Sequence, residues 1–350
     1  AGLAIVGYYP QLVNYLPNRV SFSSETAPPP RNPKLQYCLE QFVREEFTAQ
    51  PRMIATAVAT ADGINRTFLP RKLSGNAKRA FENAAKAPAL LEAAFAAQAN
   101  VAAAADAYRP IHARTRFIEG EIRKTDAKID DLKTSLSRLN TAGDEPLKAT
   151  LGEEMKRLES SLATLRGQIP TDWESAHKEF KKLLEAERKA RQAYRRAADT
   201  AYSPIADITS VLAATKQLAA IESTLQQLRD DIEASEPKAM IETVSDMSKT
   251  LGSISGASKL KSRMSKVRRS LRSKKPKKNR ALKDMDRLLA DYGKELAWRS
   301  KAVGTVLPAY QGYLDTVGTT LGLRSQSRMT RAQSLYVAAC SSAHRDISLN

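Results

Sequence analysis

Apolar residues in this chain recur at alternating steps of three and four over most of its length, and that spacing belongs to one face of an α-helix. Ile118, Ile122, Ile129, Leu132, Leu136 and Leu139 form one such stripe. Asn140 to Pro146 interrupts it with Gly143 and Pro146, and a second stripe starts at once with Leu147, Leu151, Met155, Leu158, Leu162, Leu165 and Ile169. Two stripes flanking a short break predict a hairpin of two antiparallel coiled-coil arms over residues 118 to 169. Each arm would be about 30 Å long at roughly 1.5 Å per residue.

Composition extends this expectation to the whole chain. Aromatics are 6% of 350 residues and Gly only 15, while Ala, Leu, Lys, Arg and Glu, which lose little freedom in a helix, fill the middle. The predicted fold class is all-α: an elongated antiparallel coiled coil or helix bundle with an irregular, Pro-containing N-terminal region. A long-helix body is expected over residues 74–250. Within it, breaks at Gly167 and Pro170 precede a helix with Thr171 as N-cap and running to Tyr202. Ser203 is expected to cap the next helix, with Pro204 at its first position and Ile205, Ile208, Leu212, Leu218, Ile221, Leu225, Leu228 and Ile232 as its stripe.

The N-terminal region is less regular. Residues 1–20 open with AGLAIVGYYPQLVNYL, too short to span a bilayer of roughly 30 Å on its own and readable as a membrane-anchor remnant, a cleaved end or a packing segment. Residues 21–33 contain Pro28, Pro29 and Pro30 and predict an extended linker. In the mixed region 34–73, LEQFVREEF predicts a helix, and Asp62-Gly63 is a dipeptide that could close a hairpin. Cys38 and Cys340 lie near opposite ends without a CxxC motif. They are either two separate thiols packed as small hydrophobes or a disulfide joining the two ends in an oxidising compartment.

Charge gives the functional clue. Residues 259–280 hold Lys259, Lys261, Arg263, Lys266, Arg268, Arg269, Arg272, Lys274, Lys275, Lys277, Lys278 and Arg280 and no acid, twelve of the chain's net +18 charges. Leu260, Met264, Val267 and Leu271 recur among them at steps of four, three and four, so the segment predicts a basic amphipathic helix running into a basic loop. Such helices meet membrane surfaces, nucleic acid or acidic partners. LGSISGAS, residues 251–258, has two Gly and three Ser and is expected to act as a hinge before it; helices are expected over residues 281–350.

Motifs for chemistry are sparse. His112, His177 and His344 are far apart and none sits in HExxH or a Cys/His arrangement that could hold zinc. The sequence contains neither GxxxxGK[ST] nor GxSxG, and the acidic pairs Asp130-Asp131, Glu153-Glu154 and Asp230-Asp231 sit among Lys and Arg on helix faces. The architecture alone, over residues 75–250, broadly resembles the crescent-shaped membrane-binding BAR domains. The expectation is a non-enzymatic helical scaffold, with no cofactor, metal or small-molecule substrate. It would associate with itself or other helical proteins and dock an anionic surface, preferably a membrane, through the basic helix. Sequence-independent nucleic-acid binding by a coiled-coil protein is the alternative, and an enzyme with an unrecognised site the second alternative. Absence of aromatics from the basic run counts against single-strand stacking.

Overall fold

The computed structural model describes residues 28–30, 32–139, 144–273 and 276–343, and among them the chain is all-helical, without a strand. The apolar segment 1–20 and most of the 21–33 linker lie outside the described residues, as do Lys274, Lys275, His344 and the expected turn residues 140–143. In chain order the helices are α1 (Pro33–Ala49), α2 (Met53–Asp62), α3 (Arg71–Arg138), α4 (Glu145–Gly167), α5 (Trp173–Ala213) and α6 (Thr215–Ala219). They continue as α7 (Glu222–Ala234), α8 (Ile241–Ser253), α9 (Ser258–Arg272), α10 (Lys278–Val303), α11 (Val306–Val317) and α12 (Arg331–Ala343). No described helix is long and apolar enough to cross a membrane. The chain divides into two compact units, one built from residues up to Leu90 and from Ala193 to Ala343, the other from Leu91 to Gln192.

The first unit contains three groups of contacts. Helices α7, α8, α9 and α10 share one apolar core in which Leu225, Ile232, Val244, Leu251, Met264, Val267, Leu271, Met285 and Leu288 are fully or almost fully buried. Tyr292 from α10 closes one end, its hydroxyl donating to the Leu218 carbonyl at 3.0 Å. Elsewhere α11 packs against α2, and Phe81 meets Tyr310 and Tyr313 edge-on at 5.7 and 5.2 Å. Helix α12 packs against α1, where a disulfide joins Cys38 to Cys340 across 302 residues of sequence and Phe42 lies edge-on to Tyr336 at 5.4 Å.

In the second unit, Tyr108 of α3 stacks on Phe180 of α5 with ring centroids 4.2 Å apart, and Val101, Ala105, Trp173, Leu183 and Leu184 pack around the pair. The small residues of the Ala-rich run leave room for these rings. The Arg191 guanidinium lies over Phe95 at 5.5 Å and donates to Glu187 at 2.8 Å. Along the predicted hairpin, Ile118, Ile129 and Leu162 are buried, and Arg166 of α4 lies 3.9 Å from Asp126 of α3. Phe117 is 71% exposed and Leu147 49%.

Three local expectations are corrected. Asp62-Gly63 does not close a hairpin: Asp62 ends α2, and the Gly63 N–H donates to the Ala59 carbonyl at 3.1 Å, continuing the helical ladder by one bond. Ser203 does not start a helix. Helix α5 runs on through Pro204 as far as Ala213. Proline there removes one backbone donor, but Ala201, Ile205 and Ile208 form an unbroken buried face on either side, and that packing outweighs the local preference.

The third correction concerns residues 251–258, which are anchored rather than hinge-like. Arg299 is completely buried, and its Nη1 donates to the carbonyls of Ser255 at 3.0 Å and Val211 at 3.2 Å while Nη2 pairs with Glu295 at 2.7 Å. Ile254 and Ala257 are buried alongside. Gly256 takes φ +78°, and a Cβ there would sit 2.6 Å from Arg299 Nη2 and 2.8 Å from Val211. Only glycine combines that backbone conformation with so close an approach.

Candidate anion-binding groove

Helix α9 sorts its residues into two kinds of surface. Leu260, Met264, Val267 and Leu271 are 1%, 0%, 0% and 0% exposed, because α8 and α10 both pack on this face. The apolar stripe, the face that an amphipathic helix at a membrane surface would bury in lipid, is therefore occupied by the protein's own core. A membrane could reach it only if these helices separated.

The basic residues fall on the remaining faces, and tertiary structure divides them. Lys259 and Arg263 both donate to Asp291 of α10, each at 3.0 Å. The bond from Lys259, with that from Arg263, holds the Asp291 carboxyl below the usual carboxylate range although partial burial opposes this. Arg268 donates to Ser245 Oγ on α8 at 3.2 Å, and the Lys261 side chain runs beside Gly252. Arg272 is exposed and Lys278 half-buried.

A groove of about 370 Å³ collects the rest. Its α9 wall carries Arg263, Lys266, Arg269, Ser270 and Ser273, and its other wall Lys277, Arg280, Asp284 and Arg287. Arg263, Lys266, Arg269 and Ser270 lie on one side of α9 with Ser273 just after it, and Arg280, Asp284 and Arg287 on one side of α10 with Lys277 just before it, so two basic walls line one groove. The connection between the helices brings them together. Ser273 turns extended at the end of α9, and the Lys277 N–H returns to the Ser270 carbonyl at 3.1 Å. Lys277 thereby lies beside the last turn of α9, immediately before α10 begins with no acid in its first turn.

Charge in the groove is only partly neutralised. Arg263 pairs with Asp291, and Arg287 lies 3.4 Å from the buried Asp284. Lys266, Arg269, Lys277 and Arg280 have no acidic partner among the described residues. Four uncompensated cations converging on a concave surface create a positive potential that attracts anions, most strongly multiply charged ones. Of the twelve predicted basic residues, Arg263, Lys266, Arg269, Lys277 and Arg280 line the groove; Lys259, Lys261, Arg268, Arg272 and Lys278 do not. Arg287, Asp284, Ser270 and Ser273 were not among the predicted residues. The spacing of Arg280, Asp284 and Arg287 on α10 carries a signal for Arg287, whereas the burial of Asp284 has none in sequence.

A second cluster was also missed. Far apart in sequence, His112 and His177 both border Tyr108 and Trp173: the Tyr108 hydroxyl hydrogen-bonds His177 Nδ1 at 2.7 Å, and His112 lies 6.0 Å from the Trp173 ring centre. Desolvation, with Arg116 and His177 adding repulsion, lowers the His112 pKa. The signal was a repeated aromatic-to-His step of four, Tyr108 to His112 and Trp173 to His177. Among the described residues no group of His, Cys, Asp and Glu could hold a metal ion. No family model, curated protein or solved structure matches the chain.

Proposed function

We propose that this protein is a non-enzymatic helical scaffold that docks on an anionic membrane surface through the α9–α10 end of its first unit. The observation that carries the reading is the groove, in which Lys266, Arg269, Lys277 and Arg280 converge without acidic partners. Basic residues near an anionic bilayer contribute on the order of 1 kcal/mol each, so these four supply about 4 kcal/mol before other exposed cations are counted. Docking is electrostatic and superficial, since Met264 and Val267 are in the core. The second element is assembly. Phe117 and Leu147, large apolar side chains left exposed in the second unit, favour association of the α3–α4 region with a second copy or another helix in coiled-coil fashion.

Co-sedimentation with phosphatidylserine vesicles and with neutral phosphatidylcholine vesicles tests the docking. The wild-type protein should bind the anionic vesicles, lose binding as salt rises and leave neutral vesicles alone. The quadruple variant Lys266→Gln, Arg269→Gln, Lys277→Gln, Arg280→Gln should keep its helix content, because Gln is a fair helix former, and lose most vesicle binding. Full binding by the quadruple variant would remove the groove from the reading. Duplex DNA bound more tightly than any vesicle would instead favour nucleic acid.

A further inference from the structure

We propose that the α9–α10 groove is a discrete site for one ligand bearing two phosphate monoesters on neighbouring atoms, either a phosphorylated lipid headgroup or the free phosphate ester. This deepens, and rests on, the reading that this end of the molecule meets anionic ligands. Three features of the groove support it.

The first is arrangement. The four unpartnered cations form two Lys-x-x-Arg pairs, Lys266 with Arg269 on one wall and Lys277 with Arg280 on the other. Lys266 and Arg269 lie three residues apart on α9, close enough to converge on one group, and Lys277, just before α10, lines the same groove as Arg280. The planar arginine fork suits two phosphate oxygens at once, and the lysine adds a mobile point charge. One phosphate per wall is the occupancy this arrangement matches.

Charge leads to the same number. Each phosphate monoester carries roughly −1.5 to −2 at neutral pH, so two of them balance about four cations. Arg263 and Arg287 stay engaged with Asp291 and Asp284. A ligand with a single phosphate would leave one wall unpaired.

Shape separates this ligand from a uniformly charged surface. The groove is concave, about 370 Å³, with the buried Ser270 and Asp284 in its lining. That lies in the range of small-molecule sites, roughly 300 to 1,000 Å³. A flat bilayer of singly charged lipids touches only its rim, whereas a projecting ring with two phosphates reaches both walls.

The test uses the full chain and four probes: a soluble inositol ring with two vicinal phosphates, vesicles containing phosphatidylinositol bisphosphate, phosphatidylserine vesicles of equal total charge, and duplex DNA. Calorimetry should give saturable one-to-one binding of the soluble ester, and bisphosphate vesicles should be preferred over phosphatidylserine vesicles. Either paired variant, Lys266→Gln with Arg269→Gln or Lys277→Gln with Arg280→Gln, should weaken both on the order of a hundredfold, since each removes two charge-assisted contacts. Arg268→Gln with Arg272→Gln, outside the groove, should leave binding of the soluble ester within about threefold of wild type, the range of surface substitutions. If the soluble ester displaces the protein from bisphosphate vesicles, the ligand is the lipid headgroup; if the ester binds and the vesicles do not, it is the free ester. Equal binding to the two charge-matched vesicles with no saturable uptake of the ester would overturn the site and leave surface docking intact. No binding to any probe would overturn both, and duplex DNA that binds where the ester neither binds nor competes would replace the site with a nucleic-acid surface.

Discussion

Replacing Arg299 with Met should loosen the segment that holds α9 in place. The side chain is 0% exposed, and methionine is flexible enough to occupy much of the space vacated by its aliphatic part, so the change is chiefly one of lost polar contacts. Two hydrogen bonds from a charged donor to the carbonyls of Ser255 and Val211 disappear, at about 1.5 kcal/mol each. Glu295 loses its partner but retains some contact with water, its side chain being 27% exposed, which adds about 1 kcal/mol. The total is about 4 kcal/mol, within the roughly 3 to 5 kcal/mol usual for breaking a buried pair. Urea unfolding followed by circular dichroism measures it. Amide hydrogen exchange should show lost protection at Ile254 to Lys261 before the rest of α9 responds. Arg299→Lys should recover only part of the stability, because one ammonium cannot reach acceptors spread around a guanidinium fork. If Arg299→Met unfolded within about 1 kcal/mol of wild type and left exchange at Ile254 to Ala257 unchanged, the anchored connection would be wrong.

Three further outcomes follow from other parts of the molecule. Met264→Ala should cost about 2 to 5 kcal/mol of stability, as core truncations do, yet leave vesicle affinity of the folded protein unaltered; selective loss of vesicle binding without loss of stability would restore lipid insertion. Because the folded protein lowers the His112 pKa, its unfolded form takes up a proton first as pH falls, so the stability His112 supports is complete well above its ordinary value of 6.5 and is lost as pH drops through it. A melting temperature that falls between neutrality and mild acid in wild type and falls less in His112→Phe checks this. Reducing the bond between Cys38 and Cys340, or changing both to Ser, releases a 302-residue loop and should lower stability by up to about 5 kcal/mol on the chain-entropy account; an unchanged unfolding midpoint under reducing conditions would show that the bond contributes nothing.

Helix content and the identity of buried faces were legible in the chain because both depend on local spacing. The stripes at Leu225, Leu228 and Ile232, and at Leu260, Met264, Val267 and Leu271, follow from the helical repeat, and they are the residues the fold buries. The break at Gly167 was legible from residue type, glycine being a poor helix former: helix α4 ends there. At Pro204 a local preference was overruled by the buried Ala and Ile residues around it, and at residues 251–258 a Gly- and Ser-rich sequence was immobilised by an arginine more than forty positions away.

Function divides along the same line. The run of twelve cations is a property of sequence, and by itself it marks this part of the chain as the place to look. Which surface covers the apolar stripe, and which cations keep their charge unpaired, depends on neighbours distant in sequence. Helices α8 and α10 take the stripe, Asp291 neutralises Lys259 and Arg263, and the return of Lys277 to Ser270 sets two basic walls face to face. Electrostatic and packing energies depend on distances through space, and only the folded chain determines those.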